Sequence, residues 1–181
     1  MICFITCRLS GYDGSNLQYQ FTRKDSSYQF TGSFKVPADP ECLFEMAYNI
    51  EHLRILAGDA ESVKLIRQGD QWYEVEYIYR RYWLFENRSV WHRELDRRDG
   101  MIRFELVEST NNSELMPVML SSEGHYKFTP VDGVYHVEYF QECILQSGGL
   151  LNKYMDKARQ EAISFLVNFQ KQINMHCLTS L

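Results

Sequence analysis

The sequence predicts a two-layer α+β domain: a curved antiparallel sheet of about seven strands wrapped around one long C-terminal helix, with two short helices after the first strand. Three observations predict it. Residues 62–145 hold strand-like runs separated by turns that contain Gly or Asp. Residues 150–173, LLNKYMDKARQEAISFLVNFQKQI, contain no proline or glycine, and Leu151, Met155, Ala158, Ala162, Phe165, Phe169 and Ile173 recur at three- and four-residue steps. WYEVEYIYRRYW, residues 72–83, carries six aromatic residues in twelve, and splitting it by twos puts Tyr73, Val75, Tyr77 and Tyr79 on one face and Glu74, Glu76 and Arg80 on the other.

The elements follow in order. Residues 1–27 read as an N-terminal extension, with 1–16 expected to be unstructured. YQFT occurs at 19–22 and again at 28–31 around the turn-like RKDSS, which suggests a hairpin and one extra strand. Residues 28–36 alternate Phe30, Gly32, Phe34 and Val36 with more polar neighbours and form the first strand of the domain proper. Pro37 ends it. Asp39 is placed as a helix N-cap with Pro40 at the first helical position. Leu43, Phe44, Ala47 and Ile50 supply an apolar stripe, and the pattern permits a break near Asn49 into a second short helix that stops at Gly58. Strands are then expected at 62–67, 72–83, 87–95, 101–109, about 118–129 and 134–145. Gly148-Gly149 releases the chain into the last helix, about 36 Å long if it spans 24 residues. Residues 28–173 form the domain and 174–181 a tail. A large twisted sheet curls, and a straight helix cannot follow a curved surface everywhere, so a gap between them is expected.

Composition narrows the function. At 181 residues the chain suits one domain. A net charge of −5 argues against a general nucleic-acid binder, which needs a basic surface. The five cysteines, Cys3, Cys7, Cys42, Cys143 and Cys177, are scattered and odd in number, which argues against a disulfide framework and for a reducing, cytoplasmic setting. MICFITCRL is too short for a signal segment, and no apolar run reaches the length of a membrane span. Transient membrane contact is compatible with this pattern and stable insertion is not. Nothing in the sequence fixes the oligomeric state.

Four stretches resemble the START-like, or SRPBCC, superfamily, which has the helix-grip fold also seen in the birch-pollen allergen. FKVPADPECLFEMAYNIEHL is similar to its opening strand, turn and first helix, and SVKLIRQGDQWYEVEYIY to its next hairpin. HRELDRRDGMIRFELVES resembles the hairpin in which a Leu-Asp turn leads into an apolar strand, and EGHYKFTPVDGVYHVEY the final hairpin before the long helix. The likeness covers about residues 28–173 and is nearest the polyketide cyclase/dehydrase and coenzyme Q-binding branches. It implies a cavity between sheet and C-terminal helix, and it spans carriers, receptors and cyclases alike, so it implies fold more strongly than activity.

Following the apolar parity gives the candidate lining: Tyr77, Tyr79, Arg81, Trp91, Phe104, Tyr126, Phe128 and Tyr139 from the strands, opposed by Met155, Ala158 and Ala162 from the helix. Such a stripe can be solid core. The pocket reading is preferred because several buried tyrosine hydroxyls are hard to satisfy without water or ligand, and because the helix alanines leave room. Arg81 and Arg93 share the inner parity. The simpler expectation is that both are solvated at strand ends; an inward one would need a carboxylate or an anionic or carbonyl ligand group, and Arg81 is taken as the one that could orient a ligand. Among the histidines, His125 and His136 fall on the outer parity. His52, near the expected cavity mouth, is the one candidate with Tyr77 for acid–base work, against the plainer reading of a solvated helix face. Cys3-x3-Cys7 and His176-Cys177 lack a completing ligand set, so no metal is expected, and no cofactor motif is present.

The expected function is binding or transport of a hydrophobic or amphipathic small molecule, such as a lipid, an isoprenoid quinone or a polycyclic aromatic. The alternatives are an aromatase/cyclase-type enzyme using the same cavity and a non-catalytic interaction module with a filled core.

Overall fold

The computed structural model describes residues 4–8, 16–58, 60–81, 85–114, 116–147 and 150–178, with the backbone alone for 4–8, 81 and 85. Nine strands form one antiparallel sheet: β1 (Phe4–Arg8), β2 (Gln18–Lys24), β3 (Ser27–Val36), β4 (Ser62–Gln68), β5 (Trp72–Arg81), β6 (Phe85–Asp96), β7 (Met101–Asn111), β8 (Met119–Val131) and β9 (Val134–Leu145). Helices α1 (Pro40–Tyr48) and α2 (Ile50–Leu56) follow β3, and α3 (Leu151–His176) ends the chain. The strand order is β1-β2-β3-β9-β8-β7-β6-β5-β4, two meanders joined where β3 pairs with β9. This is the helix-grip arrangement, with two strands beyond the seven of the domain proper: β2 is the extra hairpin strand expected, and β1 falls where no structure was expected.

The extra strands are N-terminal. β2 pairs with β3 in a register that sets Phe21 against Phe30 and Tyr19 against Gly32, and β1 pairs outside β2. Phe21 is the one fully buried side chain of β2, so a period of two had little to show itself by. Asp25 turns the hairpin at a φ of 51°, a conformation that Asp tolerates better than most residues. The helix break falls at Asn49, whose backbone is extended and whose Oδ1 accepts from Glu51 N at 2.9 Å to begin α2. Asp39 caps α1 in the same way, accepting from Cys42 N at 3.0 Å. Gly148 and Gly149 lie outside the described residues.

Helix α3 rests on the β3–β9–β8 half of the sheet. Its Met155, Leu166, Phe169 and Ile173 are no more than 1% exposed. Gly32 makes the closest approach possible: a Cβ there would sit 2.1 Å from Leu166 Cδ2. Phe34 meets Phe169 edge-on at 6.1 Å. Among the described residues no helix is long and apolar enough to cross a membrane.

The cysteine expectation needs correction. Cys42, in the first turn of α1, and Cys177, just after α3, form a disulfide with their Cα atoms 5.5 Å apart. They are 135 residues apart in sequence, so only the fold reveals the pair. Two neighbouring contacts tie the same chain ends: Asp39 N donates to Cys177 O at 3.2 Å, and Ala38 bridges Leu178. Cys143 is buried and free. A bridge of this kind persists in oxidising surroundings, so counting cysteines does not support a reducing compartment. Closing so long a loop should contribute about 2–4 kcal/mol. Cys42→Ser should therefore lower the urea midpoint, and reductant should move the wild type to the same value while leaving the variant unchanged. Equal midpoints for oxidised wild type and variant would show that the bridge contributes nothing.

Candidate ligand-binding site

The two faces of β5 separate as the alternation requires. Tyr73, Val75 and Tyr77 turn inward and are buried. The outward Glu74 and Glu76 are also buried, because arginines cover them: Arg67 pairs with Glu74 at 2.5 Å, and Arg88 pairs with Glu76 and, at 3.3 Å, with Glu108. The outer face satisfies its own charges.

The inner face carries two apolar clusters. Under α3, Phe104 stacks on Tyr139 (5.8 Å), Tyr126 meets Tyr139 (5.1 Å) and Phe169 (5.4 Å) edge-on, and Phe165 packs on Tyr139 (5.3 Å). Gly124 accommodates the Phe104 ring, since a Cβ there would lie 2.4 Å from it. Under α2, Leu53, Val63, Tyr73, Val75 and Tyr77 form the second cluster, and Trp91 packs against both.

Arg93 lies at the junction and is 5% exposed. Its Nη2 donates to Ala47 O at 2.7 Å, near the C-terminal end of α1. The guanidinium lies 5.6 Å from the Phe104 ring centre and 5.5 Å from that of Tyr126. The Tyr73 and Tyr126 hydroxyls lie beside it, and Tyr73 donates its own proton to Tyr48 O at 2.5 Å. Nε is buried without a partner, as is the Ser109 hydroxyl on β7. Burial alone would favour a neutral Arg93, but the hydroxyls of Tyr73, Tyr126 and Tyr77 outweigh it and raise its pKa. The phenols are themselves pushed up, chiefly by burial, Tyr48 to about 12 and Tyr73, Tyr126 and Tyr139 also above their ordinary value. They stay protonated, and those of Tyr73 and Tyr126 meet Arg93 as hydrogen-bonding oxygens.

A second geometric feature lies beside the flush contact of α3. Ala158, Ala162 and Phe165 occupy the flank of α3 next to its buried stripe and are half-buried. On the inner face, Tyr79, Trp91, Leu106 and Ser109 are half-buried too. Of these, Ala158, Ala162, Phe165, Tyr79 and Trp91 pack against the two clusters and are only partly sealed. The sheet is also split nearby: β7 and β8 pair only over Met101–Glu105 and Glu123–Lys127, and β7 continues without β8 to Asn111. Two concavities among the described residues lie elsewhere. One of about 330 Å³ is on the outer face between His92, Arg103, His125 and Phe140; the other, about 650 Å³, lies against the loop from Asn111 to Val118 at the split.

The structure brings most of the expected lining together. Phe104, Tyr126 and Tyr139 form the first cluster, Tyr77 stacks on Tyr79 at 6.3 Å, and Trp91 meets Phe104 edge-on at 5.9 Å. Phe128 instead packs edge-on against Phe44 of α1 at 5.3 Å, and Met155 belongs to the flush stripe of α3. The side chain of Arg81 lies outside the described residues, as do Cys3 and the side chain of Cys7. His52 is half-buried on α2 and, among the described residues, makes no ring contact with Tyr77. Cys177 is bridged and offers no thiolate to His176. The expectation that Arg93 is solvated is wrong: β6 sends it inward, level with Phe104, where α1 covers it. Parity had placed it there, but the cover by α1 is tertiary. Tyr48 and Ser109 were missed altogether; Ser109 turns inward only because a bulge at Val107 shifts the register.

No family model matches the chain, and no curated protein matches it. Solved structures do. The chain is similar to a STAR-related lipid transfer protein of Xanthomonas axonopodis, at 12% identity over 94% of this chain and 98% of that one, with a TM-score of 0.70. It is similar to the ZhuI aromatase/cyclase of Streptomyces sp. R1128, at 14% identity over 80% and 87%, with a TM-score of 0.58. A protein of Thermus thermophilus shares 20% identity over 80% and 94%, with a TM-score of 0.63. These likenesses show that the chain has the START-like, helix-grip fold.

The raised tyrosine pKa values predict alkaline instability. A phenol whose folded pKa exceeds its unfolded value of 10.0 contributes stability that is intact below pH 10 and lost as pH rises toward about 12 for Tyr48. In a pH titration, phenolate absorbance should rise together with loss of near-ultraviolet circular dichroism. Smooth ionisation of every tyrosine in a still-folded protein would contradict the burial described above.

Proposed function

We propose that the chain binds a hydrophobic or amphipathic small molecule between the Ala158–Ala162–Phe165 flank of α3 and the inner face of β5–β7. The observation that carries this reading is the half-open state of Trp91, Leu106 and Tyr79 beside a helix whose neighbouring stripe is sealed. Binding is mainly burial of apolar surface, about 25 cal/mol per Å² before ordering costs are subtracted. Tyrosine bodies supply that surface and their hydroxyls the few polar contacts. The fold's other bearers support the reading by analogy, one being named a lipid transfer protein and another an aromatase/cyclase.

Carriage is favoured over catalysis. Burial raises the Tyr77 pKa further from neutrality, which makes it a poor proton shuttle. A filled core describes the β3–β9–β8 half of the domain, and Ala158 and Ala162 flank it half-buried. Cytoplasmic residence, expected from the cysteine count, sits poorly with the Cys42–Cys177 bridge.

Ala162→Phe tests the site. A ring at this half-buried position should weaken uptake of a fluorescent hydrophobic probe by about tenfold or more while leaving the circular dichroism spectrum unchanged, because lost apolar burial of about 1.4 kcal/mol already costs that much affinity. Unchanged probe affinity in a folded variant places binding elsewhere.

A further inference from the structure

Beyond Ile173, which is fully buried, the end of α3 has little to rest on. Asn174, Met175, His176 and Leu178 are exposed, and among the described residues past Ile173 only Cys177 is buried, at 3%. Cys177 is also the residue bridged to Cys42. Two backbone contacts accompany the bridge, Asp39 N to Cys177 O and the pairing of Ala38 with Leu178. The preceding turns of α3 do not need it, because Leu166, Phe169 and Ile173 lie flush against the sheet. Helix α1 keeps its own place as well: Leu43, Phe44, Met46 and Ala47 are buried, and Arg97 pairs with Glu41 at 2.5 Å while lying over the Phe44 ring. The bridge therefore fastens one terminal turn and its tail to the start of α1, and other contacts hold the rest.

The two bridged residues differ in access. Cys42 is half-buried in the first turn of α1, whereas Cys177 is sealed. Thiol–disulfide exchange requires a sulfur on which a thiolate can land, and Cys42 is the more open of the pair. We propose that Cys42–Cys177 is an exchange site for a dithiol reductant, and that its opening unlatches residues 174–178 while the remainder of the domain stays folded. In the first step a thiolate of the reductant attacks Sγ of Cys42. The bridge breaks, and its electron pair leaves on Sγ of Cys177, which takes a proton. In the second step the reductant's other thiolate attacks its own sulfur in the mixed disulfide and displaces Cys42 as a thiolate, which is protonated in turn. The protein gains two electrons and two protons, and the dithiol becomes a disulfide. Opening is local, because the contacts released are those of one terminal turn. The latch does not depend on what the domain binds.

Alkylation by iodoacetamide, read cysteine by cysteine through peptide mapping of the full chain in native buffer, tests both parts. With dithiothreitol present, Cys42 and Cys177 should each be labelled about tenfold or more ahead of Cys143. Cys143 is the internal control for unfolding, since it is buried and free and burial pushes its thiol up to about 11. Labelling of all three at one rate means that the bridge opens only when the domain unfolds, and overturns the exchange site. Rapid labelling of Cys42 with Cys177 still protected means that the turn stays docked without the bridge, and overturns the latch. Glutathione, a monothiol, stops at the mixed disulfide, which should map to Cys42; mapping to Cys177 overturns Cys42 as the sulfur attacked. In Cys42→Ser no bridge can form, so Cys177 should be labelled without any reductant as fast as in the reduced wild type. Protection of Cys177 in that variant also overturns the latch. Should the variant not fold, which rapid labelling of Cys143 would reveal, the wild-type measurement decides alone.

Discussion

The line along which α3 meets β3, β9 and β8 organises everything else in the domain. A straight helix laid on a coiled sheet can touch it closely in one region and must stand away in another. Here the close region is set by the absence of a side chain at Gly32, which lets Leu166 settle onto β3, and it is sealed by Phe34, Phe169 and Ile173. Once that half is fixed, the small side chains of Ala158 and Ala162 pack at its border and stay half-buried. The disulfide between Cys42 and Cys177 acts on the same geometry from the far end, holding the start of α1 to the end of α3.

Two inner-face tyrosines are arranged around one buried cation. Tyr73 and Tyr126 have large apolar bodies that build the core and hydroxyls that end beside Arg93. This answers why β5 uses rings with an oxygen at the tip: the aromatic body gives burial, and the hydroxyl tempers a charge that would otherwise be intolerable. Tyrosines alone do not neutralise it, because burial keeps them protonated.

Legibility followed the range of the interactions involved. The caps at Asp39 and Asn49, the hairpin turns and the amphipathic stripe of α3 are encoded within a few residues, and the sequence announces them. Parity along β5, β6 and β7 placed Tyr77, Trp91 and Phe104 together. It did not separate Phe128, which α1 takes up, from the other inward residues, because parity names a face and not the element that covers it. The bulge at Val107 flips Ser109 inward against the simple count. β1 escaped, since residues 1–16 were expected to be unstructured, whereas the repeated YQFT already pointed to β2 as a hairpin partner of β3, although Phe21 alone is deeply buried there.

The sequence by itself determined the class of fold, the order of its helices and most of its strands, and the identity of the aromatic face, since these rest on periodicity and local hydrogen bonding. Tertiary structure alone decided that Cys42 reaches Cys177 and that α1 closes over Arg93. It alone decided which flank of α3 is sealed and which stays half-buried. Those three outcomes depend on groups brought together from distant parts of the chain, where the curvature of the sheet, rather than the spacing of residues, sets which side chains meet.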